Sequence, residues 1–255
     1  MTGPLTLVSW NVHSGIGLDG RFDLARIAEV LAQLSPDVVA LQEVGDFRGR
    51  TSAEDHPEFL ADRLRLHLAY GPNVVQDGRR YGNAVLSRLP ILGSRNYDLS
   101  VPHREPRGAL RADLGLENGR RVHLFCLHLG LSRGERLQQE SLLLSADILR
   151  DAVRADPTLV CGDFNHWWST PVRGLVRRAL HDAAQLLGHP VRTYPSRCPV
   201  LRLDRVYVDD GVLPLALRAE RSSLARVASD HLPLLLRFSL PARPEPPRPP
   251  VLLHG

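Results

Sequence analysis

The chain has 255 residues, 43% of them hydrophobic, and a formal net charge of +4, which suits one large packed domain or two small ones needing no disulfide or metal staples. All 32 basic residues are arginine, so a lysine nucleophile or Schiff base is excluded. The guanidinium fork suits phosphate contacts, although a genome-wide compositional bias gives the same usage. No apolar run reaches the roughly 18 residues of a membrane span, and Met1 to Val12 lacks the pattern of a leader, so a soluble cytoplasmic chain is expected.

In chain order, Leu5 to Val12 reads as a buried strand ending in Trp10-Asn11-Val12-His13 and a glycine-rich turn. Asp23 can cap a helix whose Leu24, Ile27, Val30, Leu31 and Leu34 share one face. Ser35-Pro36-Asp37 stops it, and the apolar strand Val38 to Leu41 follows, ending in Gln42-Glu43. Strand, helix and strand make a crossover unit that sets Asn11 and Glu43 at matching ends. After a polar loop over 48–56 and a helix from Pro57 to Leu66, the period changes to two. Short strands are expected near Leu68 to Val74, Gly82 to Leu86, Ile91 to Leu99, Ala109 to Leu116 and Arg121 to Leu127, with hairpin turns at Asp77-Gly78 and Glu117-Asn118-Gly119.

Leu127-His128-Leu129 closes that antiparallel run, and Ser132 with Glu135 has capping-box spacing before a long helix expected to reach Ala155. Thr158 to Val160 is a strand leading into Cys161-Gly162-Asp163-Phe164-Asn165-His166. Taken alone, Gly-Asp-x-Asn fits an Asx turn as well as an active site. A helix over Pro171 to Leu180 is expected next, then strands at Leu203 to Val208, Leu213 to Arg218 and Leu234 to Leu240. Residues 1–240 are read as one domain and 241–255 as a disordered Pro/Arg-rich tail. Cys126, Cys161 and Cys198 are read as reduced thiols.

Asn11, Glu43, His128, Asp163, Asn165, Asp204, Asp230 and His231 all fall at strand ends or starts. Each alone has a bland reading as a solvated or hydrogen-bonded group. Together they matter, because packed sheets bring strand ends into one place. The set is rich in oxygen donors and holds no cysteine cluster, which favours Mg²⁺ or Mn²⁺, one or two ions, over structural zinc.

Trp10-Asn11-Val12-His13, Leu41-Gln42-Glu43-Val44, Gly82-Asn83, Leu127-His128-Leu129, Gly162-Asp163-Phe164-Asn165, Leu203-Asp204 and Ser229-Asp230-His231-Leu232-Pro233 occur in an order that resembles the endonuclease/exonuclease/phosphatase superfamily, over roughly residues 5 to 240. The resemblance implies an α/β fold, a four-layer α/β/β/α sandwich with two central mixed sheets flanked by helices. It implies a metal-dependent phosphoesterase with Glu43, Asn11 and Asp230 at the metal and Asp163 and Asn165 on the attacking water. His231 paired with Asp204 would stabilise the phosphoryl charge, and His128 would bind the scissile phosphate or assist the leaving oxygen. Asn83 would support the phosphate, and, apart from the resemblance, Arg107 in Glu105-Pro106-Arg107-Gly108 between two strands is read as a second phosphate contact or a surface arginine. His13 replaces a family Asp and is either a ligand, a phosphate contact or a hydrogen-bonded neighbour. Trp167 and Trp168 are candidates for the substrate mouth. The short stretch from Asn165 to Asp204 argues against abasic-site repair. A small or lipid-derived phosphoester is the expected substrate, with a DNase or RNase as the alternative and a catalytically silent binding protein after that. No obligate protein partner is evident.

Overall fold

Side chains along the first strand sort the core into layers. In β1 (Leu5–Asn11), Leu7 faces one side while Val8 and Trp10 face the other. In β2 (Val38–Gly45), Val38 and Ala40 join Leu7, and Val39 and Leu41 join Val8. Between the two strands runs α1 (Leu24–Leu34), capped by Asp23, whose Oδ1 accepts from the Arg26 N–H at 3.1 Å. Its apolar stripe of Ile27, Val30 and Leu31 packs on the Val8 side.

The computed structural model describes residues 3–49, 51, 55–145, 148–149, 156–167 and 180–241. Trp168, the helix expected over Pro171 to Leu180 and the tail after residue 241 lie outside the described residues.

The remaining strands are β3 (His67–Gln76), β4 (Arg79–Ser87), β5 (Ile91–Asp98), β6 (Gly108–Gly115), β7 (Arg121–His128), β8 (Thr158–Asp163), β9 (His181–Asp182), β10 (Asp204–Val208), β11 (Leu213–Ala219) and β12 (Leu234–Ser239). They form two six-stranded sheets, ordered β11-β12-β1-β2-β4-β3 and β5-β6-β7-β8-β10-β9. Each sheet is antiparallel except for one central parallel pair, β1 with β2 in the first and β7 with β8 in the second. The inner faces meet in a core that includes Leu7, Val38, Val85, Leu124, Cys126, Cys161 and Val206. Helices α1, α2 (His56–Leu64) and α5 (Ser223–Ala228) cover the outside of the first sheet, and α3 (Arg133–Leu143) packs Leu143 against Phe125, Val160 and Tyr207 of the second. The result is a four-layer α/β/β/α sandwich.

Three features differ from the sequence expectation. The long helix stops at Leu143, where Leu144 and Ser145 close the last turn on Glu140 and Leu142, so it does not run unbroken to Ala155. Three short elements, β9, its following helix α4 (Ala183–Leu186) and α5, are too brief for their periodicity to show in sequence. The third is β2, which continues through Glu43 to Gly45.

Candidate active site

Strict alternation along β2 would send Glu43 to the helix side with Val39 and Leu41. Instead the pairing with β4 shifts register between Leu41 and Val44, and Glu43 adopts φ 57°, while Val44 returns to the helix side. This bulge turns the carboxylate toward Asn11. Left-handed backbone recurs at His13 (φ 46°) and Asn165 (φ 49°). Such conformations cost non-glycine residues about 1 kcal/mol or more, and three of the eight among the described residues line this cleft. At Gly162, on β8, an added Cβ would lie 1.9 Å from the Leu127 carbonyl oxygen of β7, so only glycine lets these strands carry His128 and Asp163 side by side.

The cleft encloses about 300 Å³ at the sheet ends. From the first sheet come Glu43 and the Asp230-His231 segment leading into β12, and from the second come His128, Asp163 and Asn165. His13, Arg107 and Trp167 also line it. Asn11 and Asp204 sit buried behind this lining, each bonded to a lining residue. Asn83 is not on the cleft. It is fully buried and donates to the Gly108 carbonyl at 3.0 Å, beside Arg107, while its Oδ1 has no hydrogen-bond partner.

Asn11 ties two carboxylates together, with Nδ2 2.9 Å from Glu43 Oε1 and 3.1 Å from Asp163 Oδ2. Its Oδ1 accepts from the His13 N–H at 3.1 Å and keeps a second lone pair. Asp163 Oδ1 accepts from the Asn165 N–H at 2.9 Å. Asn165 Nδ2 donates to the Leu129 carbonyl at 2.8 Å and lies 3.0 Å from His128 Nε2, which leaves the amide oxygen as the group it can offer a water. His13 Nδ1 is 3.2 Å from the Ile16 carbonyl, so a neutral ring carries its proton there and keeps Nε2 as an acceptor.

His231 Nδ1 is 2.9 Å from Asp204 Oδ2, which also accepts from the Thr193 hydroxyl. Nε2 of the same ring lies 3.6 Å from Asp163 Oδ2, and the Tyr194 ring packs on it with centroids 4.8 Å apart. Burial works against the imidazolium, but Asp204, Asp163 and Asp230 together carry its pKa up to about 10. Burial likewise pushes Asp163 up, to about 6, with His231 opposing and Asp204 assisting. His128 goes the other way. Burial, then Arg107 and His231, hold it well below the usual histidine range, so it is neutral. Two histidines of one cleft thus hold opposite charge states.

Ligating atoms of Asp163, Asp204 and His231 lie within 4.8 Å of one another. Asp204 and His231 are paired with each other and Glu105 with two arginines, which leaves Glu43, Asp163 and Asp230 as the lining carboxylates able to face a hard cation. Thr193, Tyr194, Arg48, Glu105, Phe47, Tyr81 and Leu131 also belong to the site but were not named from sequence as site residues. They sit on loops or strand interiors, and their only sequence signal was the Glu105-Pro106-Arg107 stretch between two strands.

Two mixed sheets that stack to bring carboxylates, amides and an aspartate-held imidazole to one edge define a phosphoesterase-type α/β sandwich. The chain belongs to the Endonuclease/Exonuclease/phosphatase family, whose model matches residues 8–231. Members of this family are generally hydrolases of phosphoester bonds. Among particular relatives, the protein recorded as "Uncharacterized protein YbhP" of Escherichia coli (strain K12) is 36% identical over 248 residues, covering 90% of this chain and 94% of the relative. The solved endonuclease/exonuclease/phosphatase from Beutenbergia cavernae superposes with a TM-score of 0.73 at 23% identity, covering 94% of this chain and 72% of that one. D. rerio TDP2, solved with a single-strand DNA product, superposes with a TM-score of 0.69 at 21% identity, covering 93% and 100%. These two are likenesses of fold. Among the described residues no helix is long and apolar enough to cross a membrane.

Proposed function

We propose that the protein is a divalent-metal-dependent phosphoesterase that hydrolyses a phosphodiester or phosphomonoester by in-line attack of an activated water. The observation that carries this reading is the Asp204-held imidazolium of His231 standing 3.6 Å from Asp163 in the same cleft as Glu43. Uncatalysed phosphoester hydrolysis is among the slowest of reactions, so a catalyst must both place the water and neutralise phosphoryl charge. Asp163, mostly ionised at neutral pH yet with a raised pKa, takes the proton from a water that Asn165 Oδ1 orients. His231 Nε2–H donates to a phosphoryl oxygen, and Asp204 keeps that ring charged and aimed. Neutral His128, with its ring nitrogens facing Arg107 and Asn165, positions those two groups beside the scissile phosphate. His13 and Arg107 offer further contacts to phosphate.

The donor set fits a hard cation. Glu43 and Asp230 present carboxylate oxygens to the cleft, and no cysteine lines it. Mg²⁺ or Mn²⁺ there, as one ion or two, would supply charge neutralisation at the phosphoryl oxygens. Asn11 holds Glu43 and Asp163 through its Nδ2, and its Oδ1 would be a further ligand to the ion.

For substrate, the apolar rim favours a small or lipid-derived phosphoester. Leu131 and Trp167, 70% and 59% exposed, stand at the mouth of an otherwise polar cleft. The three cysteines are free thiols, in keeping with a cytoplasmic setting. A second reading, nuclease activity, draws on Trp167 as a base-stacking surface and on the DNA product held by TDP2. A panel of phosphomonoester, phosphodiester, oligonucleotides and phospholipids, each with Mg²⁺, Mn²⁺ or chelator, tests both. Turnover of at least one class that vanishes in chelator is expected, and turnover that survives chelation would sink the metal-dependent reading. No turnover of any class would leave a silent binding protein.

A further inference from the structure

One carboxylate at the cleft mouth bridges two guanidinium groups. Arg48 follows β2 of the first sheet, while Glu105 and Arg107 lie between β5 and β6 of the second. Glu105 Oε2 is 2.8 Å from Arg48 Nη2, and Glu105 Oε1 is 2.8 Å from Arg107 Nη1. The carboxylate thus gives one oxygen to each cation, as a phosphate would.

Arg107 is firmly held. Its N–H donates to Ser100 Oγ at 3.2 Å, its carbonyl accepts from Leu99 at 2.9 Å, and the side chain is only 7% exposed. Yet its Nε is buried with no hydrogen-bond partner. A phosphate in place of the carboxylate would bring more acceptor sites and more charge to the guanidinium edges that face the cleft. Arg107 also stands an imidazole's width from the reacting centre. Its Nη1 is 3.2 Å from His128 Nδ1, and Nε2 of that ring is 3.5 Å from Asp163 Oδ2. An anion on the arginine pair is therefore a neighbour of the scissile phosphate, distinct from it.

We propose that Arg48 and Arg107 form a subsite for a second anionic group of the substrate, a phosphate or a carboxylate, and that Glu105 occupies this subsite until the substrate displaces it. This rests on the phosphoesterase reading above and narrows its substrates to phosphoesters carrying an additional anion. Because Arg48 is 56% exposed, its pair with Glu105 is solvent-screened and can exchange.

The test is calorimetric titration of the full chain with inorganic pyrophosphate in metal-free buffer, for wild type, Glu105→Gln and Arg48→Gln, with thermal unfolding run on each. Removing the competing carboxylate should tighten pyrophosphate binding about tenfold, and removing the exposed guanidinium should weaken it by a similar factor. Weaker binding in Glu105→Gln would make Glu105 a strut for Arg107 and overturn the proposal. Affinity unchanged in either variant, or no binding by any of the three, would overturn it too. Hydrolysis of a simple chromogenic phosphodiester with Mg²⁺ is measured alongside. Its absence, with the pyrophosphate order intact, would count against the phosphoesterase reading and leave the subsite standing.

Discussion

Asp204 is fully buried, one of its oxygens has no hydrogen-bond partner, and the other serves both His231 and Thr193. A charge in that position is tolerable only because the imidazolium sits against it, and removing one partner of such a pair costs about 3–5 kcal/mol. Asp204→Asn should therefore lower stability strongly at neutral pH. The sign with pH follows from His231, whose folded pKa of about 10 lies above its ordinary 6.5. Its contribution is fully present below the ordinary value and fades as pH rises through the folded one. The gap between wild type and Asp204→Asn in denaturant melts should accordingly close above pH 10; a gap independent of pH would refute the charged pair. For catalysis, Asp163→Asn should cut kcat by about 10²–10⁴ while leaving the melting temperature near or above that of wild type, because it removes a desolvated carboxylate. Unchanged turnover of a good phosphodiester would remove Asp163 from its role as base.

The elements explain why those residues can meet. Gly162→Ala would drive a methyl into the Leu127 carbonyl at a backbone φ of 141°, so β7 and β8 must part where His128 and Asp163 sit. Activity should fall with stability in this variant, and an alanine chain with wild-type kcat and melting temperature would show the strands have room. The β2 bulge has its own support. Gly45 N–H donates to His56 Nδ1 at 3.2 Å, and burial, opposed by Asp46 and Asp55, holds that ring neutral below its ordinary pKa of 6.5. Protonation would replace an acceptor with a donor, so this support is intact above pH 6.5 and is lost as pH falls below it. Melts of wild type against His56→Gln should converge toward acidic pH. The strand ends were legible from sequence because Asn11, His128, Asp163 and Asp204 each follow or open an apolar run. Glu43 was legible as a candidate, yet the bulge that aims it was not, since alternation predicts the opposite face. Nor was Thr193 or the Arg48–Glu105 pair, which depend on loops meeting across the fold rather than on any local pattern.

At the scale of the molecule, the site is divided between the sheets. Asn11, Glu43, Asp230 and His231 belong to the first, and His128, Asp163 and Asp204 to the second. Packing of Cys126, Cys161 and Val206 against Leu7 and Val38 is therefore what sets the distances between them. Dialysis against chelator should abolish turnover without unfolding the sandwich, as read by far-ultraviolet circular dichroism, because strand pairing and the apolar core between the sheets hold them together. Loss of the fold on chelation would instead make the ion structural. The four layers were legible from the order of motifs, whereas the early stop of α3 was not, because the apolar spacing continues past Leu143. One feature also sets a timetable. The first sheet runs β11-β12-β1, so its N-terminal strand is flanked on one side by a strand that ends only at Ser239. Until β12 pairs with β1, His231 has no anchored place beside Trp10, whose indole N–H donates to its carbonyl at 2.8 Å. Asn11, Glu43, His128 and Asp163 all precede that pairing in sequence, so the proposed site closes only after the strand following His231 has docked on the first one.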